Sequence, residues 1–286
     1  MRYIIVSDSS SNVFTINGAE YKTVPMKIIA EKEYVDTPAL DLAGMVSDLQ
    51  QFKGKSGSSC ANVQEWLDAF EGADAVFCVT ISKNLSGSFN SAQKAVAVFL
   101  EENPGKRAYV FDSLAAGPQQ AMVVDKIAQL IGEGNDFDAI VEKTLDYHNH
   151  THILFRLQSL TNLARNGRIN PAVAKIAGVL GIRVIGDAKG GQITPAHKPR
   201  GDKKAIPMLV EMMKERGFYD GALLRIAHCF GEEPALLLRD AVLAEFPTTR
   251  FQLEPTTALC SFYAEEGGLM IGFEGGYNQE NNNKDF

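Results

Sequence analysis

Apolar residues in the first half of the chain form short runs that end in small polar residues. Each run has the length and composition of a buried strand, and the runs are residues 3–7, 75–80 and 107–112. Elsewhere apolar residues recur every three or four positions, which predicts amphipathic helices over 40–52, 63–70, 85–101, 117–132 and 137–148. Strands that alternate with helices are typical of a parallel sheet with crossover helices. We therefore expect residues 1–155 to form a Rossmann-like α/β domain.

The pattern changes in the second half, where strand-like runs are more numerous. These runs are residues 153–157, 182–187, 223–227, 250–255 and 269–274. Helical periodicity appears between them, over 171–180, 203–215 and 233–245. The pair Gly190-Gly191 predicts a hairpin turn. We expect an α+β domain with a mixed or antiparallel sheet over residues 156–276, followed by a disordered, asparagine-rich tail over 277–286.

The clearest local signal for function is a polar turn that follows the run 75–80. Ser86, Gly87 and Ser88 stand at the start of the predicted helix, where unpaired backbone N–H groups and the helix dipole favour an anion. The same residue types suit an ordinary helix cap, so the pattern leaves both interpretations open. In a doubly wound sheet, ligands bind beyond the carboxyl ends of the strands, and hydroxyl-rich loops follow all three strands here.

A second polar turn, residues 55–62, precedes the helix predicted over 63–70. By itself this segment is typical of a flexible linker. Cys60 lies just before a helix, where a thiolate is stabilised, so a nucleophilic role is an alternative, although no motif pairs it with a histidine. Arg168 follows a helix end at Gly167, and it either binds the carbonyl groups of that helix or reaches an acidic ligand.

Composition excludes several classes of function. The formal net charge of -7 argues against a nucleic-acid partner, which needs a basic surface. No apolar run approaches the roughly 20 residues that span a bilayer, so we expect no stable membrane insertion. Four cysteines without paired or metal-binding spacing indicate a reducing, cytoplasmic setting and no metal site. No phosphate-binding loop of the G-x-x-x-x-G-K-[ST] kind is present, and no set of catalytic residues is evident.

Five motifs occur in order over about residues 3–274. They are Val-Ser-Asp-Ser at 6–9, Leu-Ser-Gly-Ser-Phe at 85–89, Val-Phe-Asp-Ser at 110–113, Gly-Arg-Ile at 167–169 and Pro-Arg-Gly at 199–201. In this order and spacing the chain resembles the DegV family, the fatty-acid-binding subunits of bacterial fatty acid kinase. The resemblance implies a two-domain α/β fold that buries an acyl chain, a role in phospholipid metabolism, and a separate ATP-dependent kinase subunit as partner. It implies no cofactor besides the bound fatty acid.

The resemblance also implies which residues bind the ligand carboxylate. These residues are Ser86, Cys60, Ser59, Gly87 and Arg168. The family holds the carboxylate with the serine of its Leu-Ser-Gly motif, which is Ser86 here, and with the hydroxyl that closes a Thr-Ser-Gln-Pro-Ser/Thr motif. Cys60 stands at that last position and Ser59 at the proline, which is a departure because a thiol is a poorer donor than a hydroxyl.

A second departure lies near the C-terminus. The family has a histidine followed by Gly-Pro-Gly, whereas this chain has Glu-Glu-Gly-Gly at 265–268 and no histidine. If that histidine helps to hold or gate the head group, this protein either prefers a different acid or has left kinase presentation for another lipid role.

Together these observations predict a non-catalytic protein that binds a long-chain fatty acid and presents its carboxylate to the kinase for acyl-phosphate formation. Two alternatives remain at this point. One is an acyl-transferring or hydrolysing enzyme that uses Cys60 as its nucleophile. The other is a binder of small anions such as sugar phosphates. A lipid carrier needs a long apolar cavity, whereas a sugar-phosphate binder needs a compact polar one, so the shape of the cavity distinguishes them.

Overall fold

The first domain is built on a parallel sheet. A computed structural model describes residues 1–172 and 181–281. The strands are β1 (Tyr3–Asp8), β2 (Glu20–Val24), β6 (Ala75–Thr80) and β7 (Arg107–Asp112). They pair in the order β2-β1-β6-β7, all in parallel. A single 3-10 turn, Ser9–Ser11, follows β1.

Helices cover both faces of this sheet. Helices α2 (Val63–Ala69) and α3 (Ser88–Glu102) lie on one face, and α4 (Pro118–Gly132) and α5 (Phe137–His148) lie on the other. Helix α1 (Leu42–Gln51) packs away from this sheet, where its Met45 clusters with Ile28 and Tyr34. Alternate residues of β1 point to opposite faces: Ile4 packs in a cluster with α2 and α3, and Ile5 packs in another with α4 and α5. The predicted doubly wound α/β arrangement is confirmed.

A small antiparallel sheet is attached to the first domain. It consists of β3 (Lys27–Ile29), β4 (Glu33–Val35) and β5 (Gly57–Ser59), in the order β4-β3-β5. The segment 55–62, which alone resembles a linker, therefore includes a strand. Gly-Ser-Ser has little strand propensity, and its conformation is set by pairing with β3, where Ser58 stands opposite the buried Ile28.

The second domain is built on a six-stranded mixed sheet. Its strands are β8 (Thr151–Leu157), β9 (Val184–Lys189), β10 (Gln192–His197), β11 (Leu223–His228), β12 (Arg250–Pro255) and β13 (Leu269–Glu274). The order is β10-β9-β8-β13-β11-β12, with β11 and β12 parallel and the other described pairs antiparallel. Gly190-Gly191 forms the predicted hairpin turn between β9 and β10. The expected mixed sheet is confirmed.

The helices of the second domain are α6 (Thr161–Arg165), α7 (Asp202–Glu215), α8 (Glu232–Glu245) and α9 (Ala258–Ala264). Side chains from α7 and α8 pack with Leu154 of β8 and Ile271 of β13 on one face of the sheet. Residues of the opposite face, such as Phe155 and Met270, line a cavity together with residues of the first domain. Among the described residues, no helix has both the length and the apolar character that crossing a bilayer requires.

The boundary and the tail differ in detail from the expected limits. Strand β8 spans the expected boundary at 155/156 and lies wholly in the second sheet. The tail contains a 3-10 turn, Gln279–Asn281, and Asn281 Nδ2 donates to the carbonyls of His148 and Thr151, at 2.7 and 3.0 Å. Residues 282–286, and residues 173–180 of the predicted helix 171–180, lie outside the described residues.

Two histidines are buried where the two domains meet. His148 Nε2 lies 2.8 Å from the carbonyl oxygen of Ser113, and His152 Nε2 lies 2.9 Å from that of Gly276. Burial lowers the pKa of both imidazoles to about 4, because a charged ring is poorly solvated inside the protein.

These histidines predict a loss of stability in acid. An unfolded histidine has a pKa of about 6.5, so between pH 6.5 and 4 the unfolded chain binds protons that the folded protein does not. The contribution of these two histidines to the free energy of unfolding should therefore fall as the pH drops through this range and level off below it. Between pH 6.5 and 4.5 the free energy of unfolding, measured by urea denaturation, should fall in both proteins. The fall should be about 2 kcal/mol smaller in His148→Gln than in the unmodified protein.

His197→Gln, at the exposed end of β10, is the control for loss of a histidine. An equal loss of stability in the unmodified protein and in His148→Gln would contradict this prediction.

Candidate functional site

A narrow apolar cavity lies between the two domains. It encloses about 840 Å³ of empty space, its open mouth included. Only a small part of this space is wide enough to admit a water molecule, so the cavity is slender. Ile81, Leu85 and Ala115 of the first domain face Phe155 and Leu157 of the second across it. These walls suit an extended apolar ligand.

Polar side chains from three segments meet at one end of the cavity. Ser86 precedes α3, Ser58 belongs to β5, and Arg168 follows α6. Arg168 Nε donates to the carbonyl of Leu85 at 3.1 Å, which places the guanidinium beside Ser86. Ser58 Oγ and Tyr263 Oη share a hydrogen bond of 2.8 Å. Two serine hydroxyls and a guanidinium among apolar walls are donors that suit a carboxylate.

Ser86 serves the helix and also lines the cavity. Its Oγ accepts a hydrogen bond from the backbone N–H of Ser88 at 3.3 Å, which satisfies one free donor at the start of α3. A hydroxyl that accepts one hydrogen bond still carries its own hydrogen, which can be donated to a ligand. The helix-cap interpretation and the anion-site interpretation of this motif are therefore compatible.

The other predicted carboxylate-binding residues lie close by, but they do not line the cavity. Side chains alternate along a strand, and Ser58 rather than Ser59 lines it. Cys60 lies beside Gly87: a Cβ atom at Gly87 would be 3.4 Å from Cys60 Sγ. Ser86 and Arg168 alone of the five predicted residues line the cavity within the described part of the chain. Carboxylate binding by the set of five stays a prediction.

Two buried carboxylates hold the walls of the cavity in place. Asp8, at the end of β1, accepts hydrogen bonds from Ile81 N at 3.0 Å, Ser88 Oγ at 2.5 Å and Gln120 Nε2 at 2.9 Å. It thereby joins the end of β6 to the starts of α3 and α4. Burial raises the pKa of Asp8, and the hydrogen bonds oppose that effect.

The second buried carboxylate, Asp36, follows β4. Its oxygens accept from the backbone N–H groups of Ala258 at 2.8 Å and Leu259 at 3.1 Å, the first residues of α9. Helix α9 supplies Leu259 and Tyr263 to the cavity, so Asp36 fixes a wall that comes from the other domain. No sequence motif indicated this role, because the partners are more than 220 residues apart.

The segment 265–268, which the resemblance marks as a departure from the family pattern, forms the turn between α9 and β13. Glu265 has a φ of +55°, a conformation that favours glycine, and its Oε1 accepts a hydrogen bond from Asn162 N at 3.0 Å. The aromatic residue two positions earlier, Tyr263, reaches the cavity instead. Sequence reasoning missed Tyr263, since nothing in its local pattern separates it from an ordinary core tyrosine.

No metal-binding cluster occurs in residues 1–172 and 181–281: no three His, Cys, Asp or Glu side chains there are arranged to hold an ion.

The chain is similar to known proteins over nearly its whole length. The sequence model of a family described as "Uncharacterised protein, DegV family" matches residues 2–275. A DegV domain-containing protein of Streptococcus gordonii is 36% identical over 280 residues, which are 96% of this chain and 99% of that protein.

Two solved structures superpose on the chain with a TM-score of 0.93. One is a DegV family protein from Eubacterium eligens loaded with heptadecanoic acid, 37% identical, with 96% of this chain and 100% of that chain covered. The other is the Streptococcus pneumoniae Fatty Acid Kinase (Fak) B3 protein loaded with linoleic acid, 34% identical, with the same coverage. The similarity extends over both domains.

The Asp36 contacts predict a large loss of stability when the carboxylate is removed. Asp36→Ala leaves two buried N–H groups of α9 without an acceptor, which should lower the free energy of unfolding by about 3 kcal/mol. Asp41 also caps a helix, α1, but at an exposed position where its side chain accepts from Gly44 N. Asp41→Ala should cost about 1 kcal/mol. Equal losses for the two variants in urea denaturation would refute the assigned role of Asp36.

Proposed function

Because this chain belongs to the DegV family, we propose that it binds a long-chain fatty acid and presents the carboxylate to a separate ATP-dependent kinase. The observation that carries this proposal is the slender apolar cavity with Ser58, Ser86 and Arg168 at one end. The relatives loaded with heptadecanoic and linoleic acids support the same class of ligand. In the proposed reaction a carboxylate oxygen attacks the γ-phosphorus of ATP on the kinase, an acyl phosphate forms, and ADP leaves.

The two ends of the ligand contribute differently to binding. Burial of each methylene contributes about 0.8 kcal/mol, so roughly 14 methylenes give about 11 kcal/mol before the costs of association. A hydrogen bond to a charged group contributes about 1.5–3 kcal/mol. The apolar walls therefore supply most of the affinity, and the polar end fixes which way round the acid lies.

The cavity favours a fatty acid over a sugar phosphate. A sugar phosphate carries polar groups around its whole perimeter, and each of them needs a hydrogen-bond partner once it is buried. Apolar side chains such as Ile81, Phe155 and Leu157 make up most of the wall and offer no such partner. Ser58, Ser86 and Arg168 lie at one end, and the charge of Asp187, which borders the cavity elsewhere, is balanced by Arg216, which matches a molecule with a single charged head.

In this proposal the protein is a carrier without catalytic residues of its own. Phosphoryl transfer requires no group from this chain beyond those that position the carboxylate. Cys60 packs beside Gly87 and is not among the residues that line the cavity, so its thiol does not border the path of the acyl chain. The four cysteines are free thiols, which suits the reducing conditions of the cytoplasm. In this proposal the fatty acid is the one small molecule that this chain itself binds, and ATP is bound by the kinase.

The proposal predicts that a fatty acid copurifies with the protein and rebinds after delipidation. We expect native mass spectrometry of fresh protein to detect an acid, and calorimetry to measure its return. Ser86→Ala should weaken binding about 10-fold to 100-fold through loss of one hydrogen bond to the charged carboxylate, whereas Ser91→Ala, further along α3, should not. Ala115→Phe should abolish binding because the ring would fill the cavity. Absence of both bound and rebinding acid would contradict the proposal.

The carrier role predicts that Cys60 is dispensable. Cys60→Ser should bind the acid within about twofold of the unmodified protein, since the thiol does not line the cavity. Neither protein should hydrolyse a long-chain acyl thioester. Hydrolysis by the unmodified protein that disappears in Cys60→Ser would instead establish the enzyme alternative.

A further inference from the structure

The apolar cavity adjoins a second void on the outside of the protein. This polar groove encloses about 1100 Å³, its open side included. Three residues line both spaces: Ile153, Asp187 and Ala188. The groove is otherwise lined mainly by polar residues, among them His152 and Arg216, and by residues 276–280. The two voids therefore share one short stretch of wall.

The shared wall lies where the pairing of two strands ends. The ladder between β8 and β9 stops at the pair Leu154–Asp187, although β8 begins three residues earlier, at Thr151. Beyond that pair, β9 continues with β10 alone. A gap in the sheet is thus flanked by Ile153 on one side and Ala188 on the other. Paired residues point to the same face, so Asp187 points with Leu154 towards α7, away from the face that carries Ile153 and Ala188.

Asp187 gives the far side of this gap a polar character. Its side chain is 10% exposed, and Oδ2 forms an ion pair with Arg216 Nη2 at 2.5 Å, just beyond the C-terminal end of α7. The other oxygen, Oδ1, is buried and has no hydrogen-bond partner among the described residues. An acyl chain that extended as far as this ion pair would bury little additional apolar surface. It would also exclude water from the unpaired Oδ1, which is unfavourable.

We propose that the Asp187–Arg216 ion pair forms the end wall of the acyl site and limits the chain length of the acids that bind. This inference rests on the proposed function and specifies its substrate class. The preferred acids are those whose terminal methyl group reaches the gap between Ile153 and Ala188 when the carboxylate lies at Ser86 and Arg168. Longer acids meet the ion pair.

The test is a series of dissociation constants, measured by calorimetry for saturated acids of increasing even chain length. Each methylene should tighten binding about fourfold until the chain reaches the gap, and longer acids should bind less tightly. The double variant Asp187→Leu/Arg216→Met keeps the net charge and makes the end wall apolar. In this variant the acid that binds most tightly should be longer than in the unmodified protein by at least two carbons, one step of the series.

A matched control removes another Arg–Asp pair. Arg107 and Asp138 also meet at 2.5 Å, but on the exposed surface of the first domain, so Arg107→Met/Asp138→Leu should leave the optimum where it is. A second variant tests the gap from the cavity side. Ala188→Leu narrows it and should move the optimum to a shorter acid, and this result decides the matter if the double variant does not fold.

The outcomes separate the two proposals. If acids bind with the expected increments but the optimum moves in neither variant, the inference about the end wall is overturned and the proposed function stands. If the unmodified protein binds no acid of any length, both are overturned. A shift of the optimum in the control variant as well would overturn the specific role of Asp187 and Arg216.

Discussion

The cavity depends on carboxylates that are buried and hydrogen-bonded. A buried carboxylate without partners is strongly unfavourable, so Asp8 fixes the positions of the groups that donate to it. Those groups are Ile81 N, Ser88 Oγ and Gln120 Nε2, which lie on three different elements of the first domain. Asp36 extends the same principle to the second domain through the start of α9. The walls of the cavity come from segments far apart in the chain, and these contacts hold them in one arrangement.

In this arrangement polar and apolar side chains occupy different parts of the cavity along its length. Hydroxyls and the guanidinium of Arg168 lie at one end of the cavity, and uncharged apolar side chains form the middle. Asp187, at the junction with the outer groove, is neutralised by Arg216. Arg168 is therefore the charge best placed to attract an anion into the cavity. A ligand with one anionic head and one apolar chain matches this order, and its orientation follows from the position of the head.

Sequence patterns predicted the elements that depend on local periodicity. Strands β6 and β7 occupy the predicted residues 75–80 and 107–112, and both sheet types are as expected. Ser86 was identifiable because three local features coincide there: the end of a strand, a small polar turn and the start of a helix. The family resemblance supplied the class of ligand, which no local pattern contains.

The features that prediction missed depend on contacts between distant residues. The residues of β5 have almost no intrinsic strand preference, and the strand forms because β3 pairs with it. The register of that pairing directs Ser58 rather than Ser59 towards the cavity. Likewise, the hydroxyl of Tyr263 meets Ser58 across 205 positions of sequence. Contacts between residues so far apart cannot be inferred from the local pattern of one sequence. The residues at the polar end of the cavity were therefore predicted only in part.

Fatty-acid binding in this orientation is tested most directly by a crystal structure of the protein as purified, from the electron density inside its cavity. A bound fatty acid should give unbranched density that begins within hydrogen-bond distance of Ser86 and Arg168 and continues between the apolar walls towards Ile153. Density for a compact polar molecule, or an acyl chain lying with its carboxylate at the Ile153 end, would contradict this binding mode.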